Sequence, residues 1–152
     1  MTQWMNIAYN EAILGMDHNE GGPFGAVIVC DGKVIAYAHN KVLKTNDPTA
    51  HAEINAIRKA SDLLGRFDLS DCILYTTCYP CPMCMGAIFW ARIPTVYYGA
   101  TMEDAARGGF DDTKFYTMIQ NPEQALDLRP LDGEKTKELF EKWLKKKERT
   151  IY

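Results

Sequence analysis

At 152 residues with a net charge of −3, the chain has room for one domain with a real core and carries no broad positive footprint for nucleic acid. Apolar residues make up 47% and charged residues 24%, the balance of an ordinary globular domain, and no apolar run reaches the ~18 residues of a membrane-spanning helix. Five cysteines, with no signal-peptide pattern at Met1-Thr2-Gln3-Trp4, read as reduced thiols and ligands and not as a disulfide frame, which points to the cytoplasm.

Apolar positions at helical intervals (Trp4, Ile7, Ala8, Ile13, Leu14) predict a helix over residues 3–16, with Gly15 as its stop. Residues 17–23 read as loop. The run Ala26-Val27-Ile28-Val29-Cys30, then Asp31-Gly32, then residues 34–38, predicts a hairpin whose first strand is covered on both faces. A loop over 40–49 leads to a helix starting at His51, running through Ile54, Ile57 and Leu64 and halting near Gly65. Cys72-Ile73-Leu74-Tyr75-Thr76-Thr77 predicts a third strand, and Thr95-Val96-Tyr97-Tyr98-Gly99 a fourth. Between them, the helix from Pro82 to about residue 91 is apolar nearly all round (Met83, Met85, Ala87, Ile88, Phe89, Trp90) and is expected to be buried.

A polar stretch holding Gly108-Gly109-Phe110-Asp111-Asp112 precedes a helical piece near 114–120 and a weaker fifth strand over 126–131. The chain closes on a charged amphipathic helix over 134–147, with Leu139, Phe140, Trp143 and Leu144 on its apolar side. Lys145-Lys146-Lys147 at its end suits the helix dipole. There is no repeat, low-complexity segment or linker, so residues 1–152 are expected to form a single α/β domain. A hairpin followed by strand–helix alternation implies a mixed sheet sandwiched by helices.

Two short stretches carry the chemistry: His51-Ala52-Glu53 and Pro80-Cys81-Pro82-Met83-Cys84. Imidazole and two thiolates make a ligand set that zinc prefers, and three protein ligands leave a tetrahedral ion one open position. Water there has a pKa of about 7. Glu53 is then placed to move protons and not to bind metal. With Pro82 as first helical residue, Cys81 sits at the cap and Cys84 three residues on, so both sulfurs can face one ion. The helix start also favours thiolate. Asp47-Pro48-Thr49 reads as the turn before a second helix start, aiming His51 at the same point. The pattern H-x-E…P-C-x-x-C is the signature of zinc deaminases acting on bases.

Other residues leave alternatives open. Cys78 extends the cysteines to C-x-x-C-x-x-C, which overlaps an iron–sulfur run, but the run's fourth cysteine is absent and Ile88 stands there. Cys78 could also close the zinc shell and make the site structural. Cys30 and Cys72 read as small core residues, and His18 and His39 as cap or surface residues. Gly22-Pro23-Phe24-Gly25 is a plain turn or a pocket wall on which Phe24 stacks a flat ring. Asn40 is a loop cap or a substrate reader. Asp111 and Asp112 read first as a solvated loop pair, and Phe110 and Trp90 as core.

These residues resemble the cytidine-deaminase-like superfamily, which implies a three-layer α/β/α sandwich around a mixed five-stranded sheet. Gly21-Gly22-Pro23-Phe24-Gly25-Ala26-Val27, Asn46-Asp47-Pro48-Thr49-Ala50-His51-Ala52-Glu53, Gly109-Phe110-Asp111-Asp112 and the terminal Tyr152 are similar to the small bacterial guanine deaminases. That resemblance implies one zinc ion per chain held by His51, Cys81 and Cys84, with Glu53 as proton shuttle. It implies that the Asn40 amide and the Ala52 backbone N–H contact the purine, that Phe24 and Phe110 sandwich it, and that Asp112 accepts its N–H groups. It implies a homodimer whose C-terminal segment, about 121–152, is exchanged, so that Tyr152 closes a pocket of the partner. The expected reaction is hydrolysis of guanine to xanthine and ammonia, with no nucleic-acid or membrane partner. Tyr79 departs from the family, which commonly has Glu before the Pro-Cys pair, and this leaves substrate preference open. The rivals are a nucleoside (guanosine, cytidine) or other aminated-heterocycle deaminase, a tRNA adenosine deaminase, and a non-enzymatic structural zinc or iron–sulfur module.

Overall fold

Thr2 opens the first helix, α1 (Gln3–Asp17), by accepting the Met5 amide on its hydroxyl, the standard way to satisfy a first-turn donor. The computed structural model describes all 152 residues, in two compact units, Met1–Thr113 and Lys114–Tyr152. In the first unit α1 runs past Gly15, which does not end it. A Cβ at Gly15 would lie 2.5 Å from the His39 ring, so the glycine is there to admit an imidazole.

The hairpin forms as the pattern predicts, from β1 (Gly25–Cys30) and β2 (Lys33–His39). Asp31 and Gly32 both adopt positive φ, 48° and 68°, the pair of left-handed residues that a two-residue turn needs to match strand twist. A short helix α2 (Val42–Thr45) interrupts the expected loop. Next come α3 (Ala52–Leu64), closed by Gly65 at φ 63°, β3 (Cys72–Cys78), α4 (Pro82–Trp90), β4 (Thr95–Ala100) and α5 (Met102–Arg107).

The strand order is β2-β1-β3-β4, with only β3 and β4 parallel, so the sheet is mixed. It has four strands and not the expected five. Residues 126–131 follow a 3₁₀ turn (Pro122–Gln124) and form no strand. Their Leu-Asp-Leu-Arg alternation mimics one, but no other strand lies within their unit to take up their amides, and Pro130 has none to give.

β1 is buried along its whole length and divides its side chains between two layers. Ala26, Ile28 and Cys30 face Ala52, Ala56 and Ala60 of α3 with Ile88 of α4, whereas Val27 and Val29 pack on Ala8 with Trp4, Met5 and Ile7 of α1. The result is three layers, helix–sheet–helix. Alanines at every fourth position of α3 let that helix lie close on the sheet, which fixes where its first residues point.

Three further expectations are corrected. The helix α4 buries only Cys84 and Ile88, while Phe89 and Trp90 are 71% and 67% exposed, and Phe110 is likewise exposed and not core. Apolarity all round identified a helix with no polar face, not one with neighbours on every side. Cys30 and Cys72, expected as reduced thiols, form a disulfide. They are direct partners in the β1–β3 register with Cα atoms 4.3 Å apart, so their 42-residue separation in sequence conceals adjacency in space.

In the second unit, α6 (Thr113–Gln120) spans the boundary and α7 (Gly133–Lys145) ends with Lys146 extended, leaving Lys147 outside the helix. Leu139, Phe140 and Leu144 of α7 are exposed. No helix of the chain is long and apolar enough to cross a membrane.

Candidate active site and metal centre

Two helix starts build the centre. Cys81 is the N-cap of α4 and Pro82 its first residue, where a missing N–H costs nothing. His51 is the N-cap of α3. Neither side chain caps its own helix, and they turn toward each other. His51 Nδ1 lies 3.5 Å from Cys81 Sγ and 3.6 Å from Cys84 Sγ, and the three ligand atoms fall within 4.8 Å of one another. Tetrahedral zinc, with bonds of about 2.0–2.1 Å to nitrogen and about 2.3 Å to sulfur, holds the two donors about 3.6 Å apart. The donor set and its spacing therefore fit zinc.

Cys78 stands apart from this cluster. Its thiol points to the Thr101 carbonyl at 3.6 Å, and burial pushes it up to about 11. The two clustered cysteines are shifted in opposite directions. Cys81 is held down to about 4, first by the hydrogen bond from Cys84 and then, against burial, by that from His51. Cys84 is pushed far up because it is the donor to Cys81 and is buried. His51 is raised, chiefly by its hydrogen bond to Cys81.

Glu53, one residue into α3 past Ala52, is only 5% exposed. The Thr76 hydroxyl donates to its Oε1 at 2.8 Å, and the Cys84 thiol approaches Oε2 at 3.4 Å. One carboxylate oxygen is thus tethered to β3 while the other faces the ligand cluster. Burial raises its pKa, the direction a proton-transfer group near neutral pH requires.

Around this centre the first unit gathers the other sequence candidates. Ala52 is fully buried as the first residue of α3, where its amide has no partner inside the helix. Asn40 is buried at the end of β2, and its Oδ1 accepts the Val42 amide at 3.0 Å, which leaves its NH₂ as the outward group. Phe24 and Phe110 meet edge to face, centroids 4.9 Å apart, and so form one aromatic corner. A flat ring does not fit between them at that spacing, because each stacked layer needs about 3.5 Å. A Cβ on Gly22 would strike both rings, at 2.8 and 2.9 Å.

Asp112 lies beside them, with an Oδ1 that is buried and has no hydrogen-bond partner. Its pKa is raised, first by burial and then by the negative charge on Cys81. Tyr79 packs edge to face on Tyr98 of β4 at 5.0 Å. Tyr152 belongs to the second unit and is exposed.

Sequence reasoning missed two contributors. Thr76 carries a legible signal: it occupies a core-facing position of β3, between Leu74 and Cys78, where a hydroxyl must find a partner. His39, expected as a cap or surface residue, is instead buried against Glu11 and Glu20, carboxylates that no local pattern links to it.

A family profile described as the cytidine and deoxycytidylate deaminase zinc-binding region matches residues 1–100. A guanine deaminase of Bacillus subtilis is 58% identical over 108 residues, covering 71% of this chain and 69% of that protein. A tRNA-specific adenosine deaminase of Agrobacterium fabrum is 48% identical over 99 residues, 65% of this chain and 64% of its own length. The X-ray structure of guanine deaminase from Bacillus subtilis superposes with a TM-score of 0.95 at 45% identity, over 100% of this chain and 99% of that one.

Proposed function

Because the chain belongs to the cytidine and deoxycytidylate deaminase zinc-binding family, we propose that it holds one zinc ion on His51, Cys81 and Cys84 and hydrolyses free guanine to xanthine and ammonia. The likeness to a guanine deaminase structure over the whole chain supports this reading. The observation that carries the choice of base is the unpartnered, buried Oδ1 of Asp112. A buried acceptor without a donor is costly, so the site is built for a ligand that brings one. Guanine presents a ring N–H and an exocyclic NH₂ side by side, whereas adenine offers only the amine on the matching edge.

When bound, zinc supplies a Lewis acid that brings water to a pKa of about 7. With the ion held by His51, Cys81 and Cys84, Glu53 would accept a proton from the attacking water and pass it to N3 of the ring, then carry the proton of the new C2 hydroxyl to the departing amine. Its tether to Thr76 keeps one oxygen fixed while the other exchanges protons. Asn40, with its oxygen already engaged, donates through its NH₂ to a purine acceptor. The Ala52 amide contacts the ring edge, and Phe24 with Phe110 supplies the aromatic wall. The proposal extends to a homodimer with residues of about 121–152 exchanged and Tyr152 closing the partner's pocket. Its support is the apolar side chains that each unit exposes, Phe89 and Trp90 on α4 in the first and Leu139, Phe140 and Leu144 on α7 in the second.

A panel of guanine, guanosine, cytosine, cytidine, adenine and tRNA, assayed for ammonia release, tests the reading. Guanine is expected to give the highest kcat/KM by at least about a hundredfold, the discrimination a matched buried hydrogen-bond set provides. A higher value for a nucleoside or for tRNA overturns it.

A further inference from the structure

Outside the proton-transfer and ligand residues, one ionic cluster around a buried imidazole has no role so far: His39 with Glu11, Glu20 and Lys44. His39 is 7% exposed. Its Nδ1 lies 2.9 Å from Glu11 Oε2 on α1, and its Nε2 lies 2.8 Å from Glu20 Oε2 in the loop that follows α1. The two ring nitrogens reach carboxylates on opposite sides, so the ring bridges two elements. Lys44 binds the other Glu20 oxygen at 2.6 Å. Room for the ring exists only because residue 15 is glycine.

The cluster converges on the residue next to His39 in sequence, Asn40. The Glu20 backbone carbonyl accepts the amides of Leu43 and Lys44, and so sets where the first turn of α2 begins. The first amide of that turn, from Val42, is the donor that holds Asn40 Oδ1. The glycine after Glu20 lies directly on the same amide: a Cβ on Gly21 would stand 2.1 Å from Asn40 Oδ1. On the other side Asn55 of α3 donates to the carbonyls of His39 and Ala50, tying this strand end to the helix that carries Glu53. His39 therefore grips, through Glu20, the loop and helix turn that orient the Asn40 side chain.

We propose that His39 is a positioning residue for purine binding: by bridging Glu11 and Glu20 it fixes the amide of Asn40 in the orientation that presents its NH₂ to the base. The inference rests on the reading that Asn40 contacts the purine. Asn40 binds ground state and transition state alike, so loss of its orientation appears in KM and in the affinity for xanthine, not in kcat.

The experiment is a double-mutant cycle on the zinc-loaded full chain: His39→Gln, Asn40→Ala and both together, with guanine kinetics, calorimetric xanthine affinity and zinc content. His39→Gln is expected to raise KM and weaken xanthine by about tenfold, the effect of one lost hydrogen bond, with kcat within about twofold and zinc content unchanged. In the Asn40→Ala background the same change is expected to shift KM by less than about twofold, because the group it positions is gone. Unchanged KM and xanthine affinity in His39→Gln, or effects that multiply in the double variant, overturn the proposal while leaving the Asn40 reading intact. Normal KM in Asn40→Ala alone refutes that reading instead. Should His39→Gln fail to fold, Glu11→Gln, which keeps an acceptor for Nδ1, takes its place with the same sign and about a threefold shift. No KM change there also counts against the bridge.

Discussion

At the scale of single residues the chemistry hangs on a carboxylate held at one end. Glu53→Gln is expected to retain zinc while kcat falls by about a thousandfold, within the usual range for a lost general acid–base group. Normal turnover in that variant rules out the shuttle. Thr76→Val removes the hydroxyl bonded to Oε1 at 2.8 Å without changing side-chain volume much. It is expected to lower kcat about tenfold and leave KM near wild type, with Thr76→Ser restoring activity; failure of serine to rescue indicates packing and not the hydrogen bond. A different carboxylate governs acid stability. Glu20 is drawn from 4.5 down to about 2, first by the hydrogen bond from His39 and then by that from Lys44. A depressed folded-state pKa stabilises above the unfolded value, and that stability drains away as pH falls from about 4.5 toward about 2. Melting temperatures of Glu20→Gln are expected to fall less steeply than wild type across that window, and parallel curves exclude the effect. The ligands, Glu53 and Asn40 were visible in the sequence because motif spacing or a strand end announces them. Thr76 carries no motif and His39 reads as a cap or surface residue, since what makes each matter is a partner 23 or 28 positions away.

At the scale of elements, local rules served well wherever the determining contacts were local. Asp31-Gly32 wrote the hairpin turn, Gly65 closed α3, and Pro82 opened α4. The helix α5 could have been found from Thr101 and Asp104, whose reciprocal capping hydrogen bonds start it. What escaped depended on pairing across the fold. Residues 126–131 have a strand's alternation without a strand's neighbour, and the opposed positions of Cys30 and Cys72 emerge only once β1 and β3 are in register. That disulfide closes a 42-residue separation, so the chain-entropy model assigns it about 3–4 kcal/mol. Reducing it, or replacing both cysteines by alanine, is expected to lower the melting temperature by about 10 °C and to leave guanine turnover at room temperature intact. An unaltered melting temperature excludes a stabilising staple.

At the scale of the whole chain, three ligands from two helices join parts of the fold that are distant in sequence. Metal bound only by the folded form stabilises it, so removal by a chelator is expected to lower the melting temperature and abolish activity, with zinc restoring both. A chelated protein that melts as before contradicts a ligand set built into the fold. The strand β3 runs from Cys72 to Cys78, directly before Cys81, so it separates two kinds of sulfur by the length of a strand. Both lesions are expected to lower the melting temperature, and turnover tells them apart. A gentle reductant is expected to soften the molecule yet spare its catalysis, whereas a sequestering agent is expected to silence catalysis yet leave the covalent clasp shut. In a denatured, unreduced sample three sulfhydryls are expected to react with a colorimetric reagent, and the remaining two only after reduction.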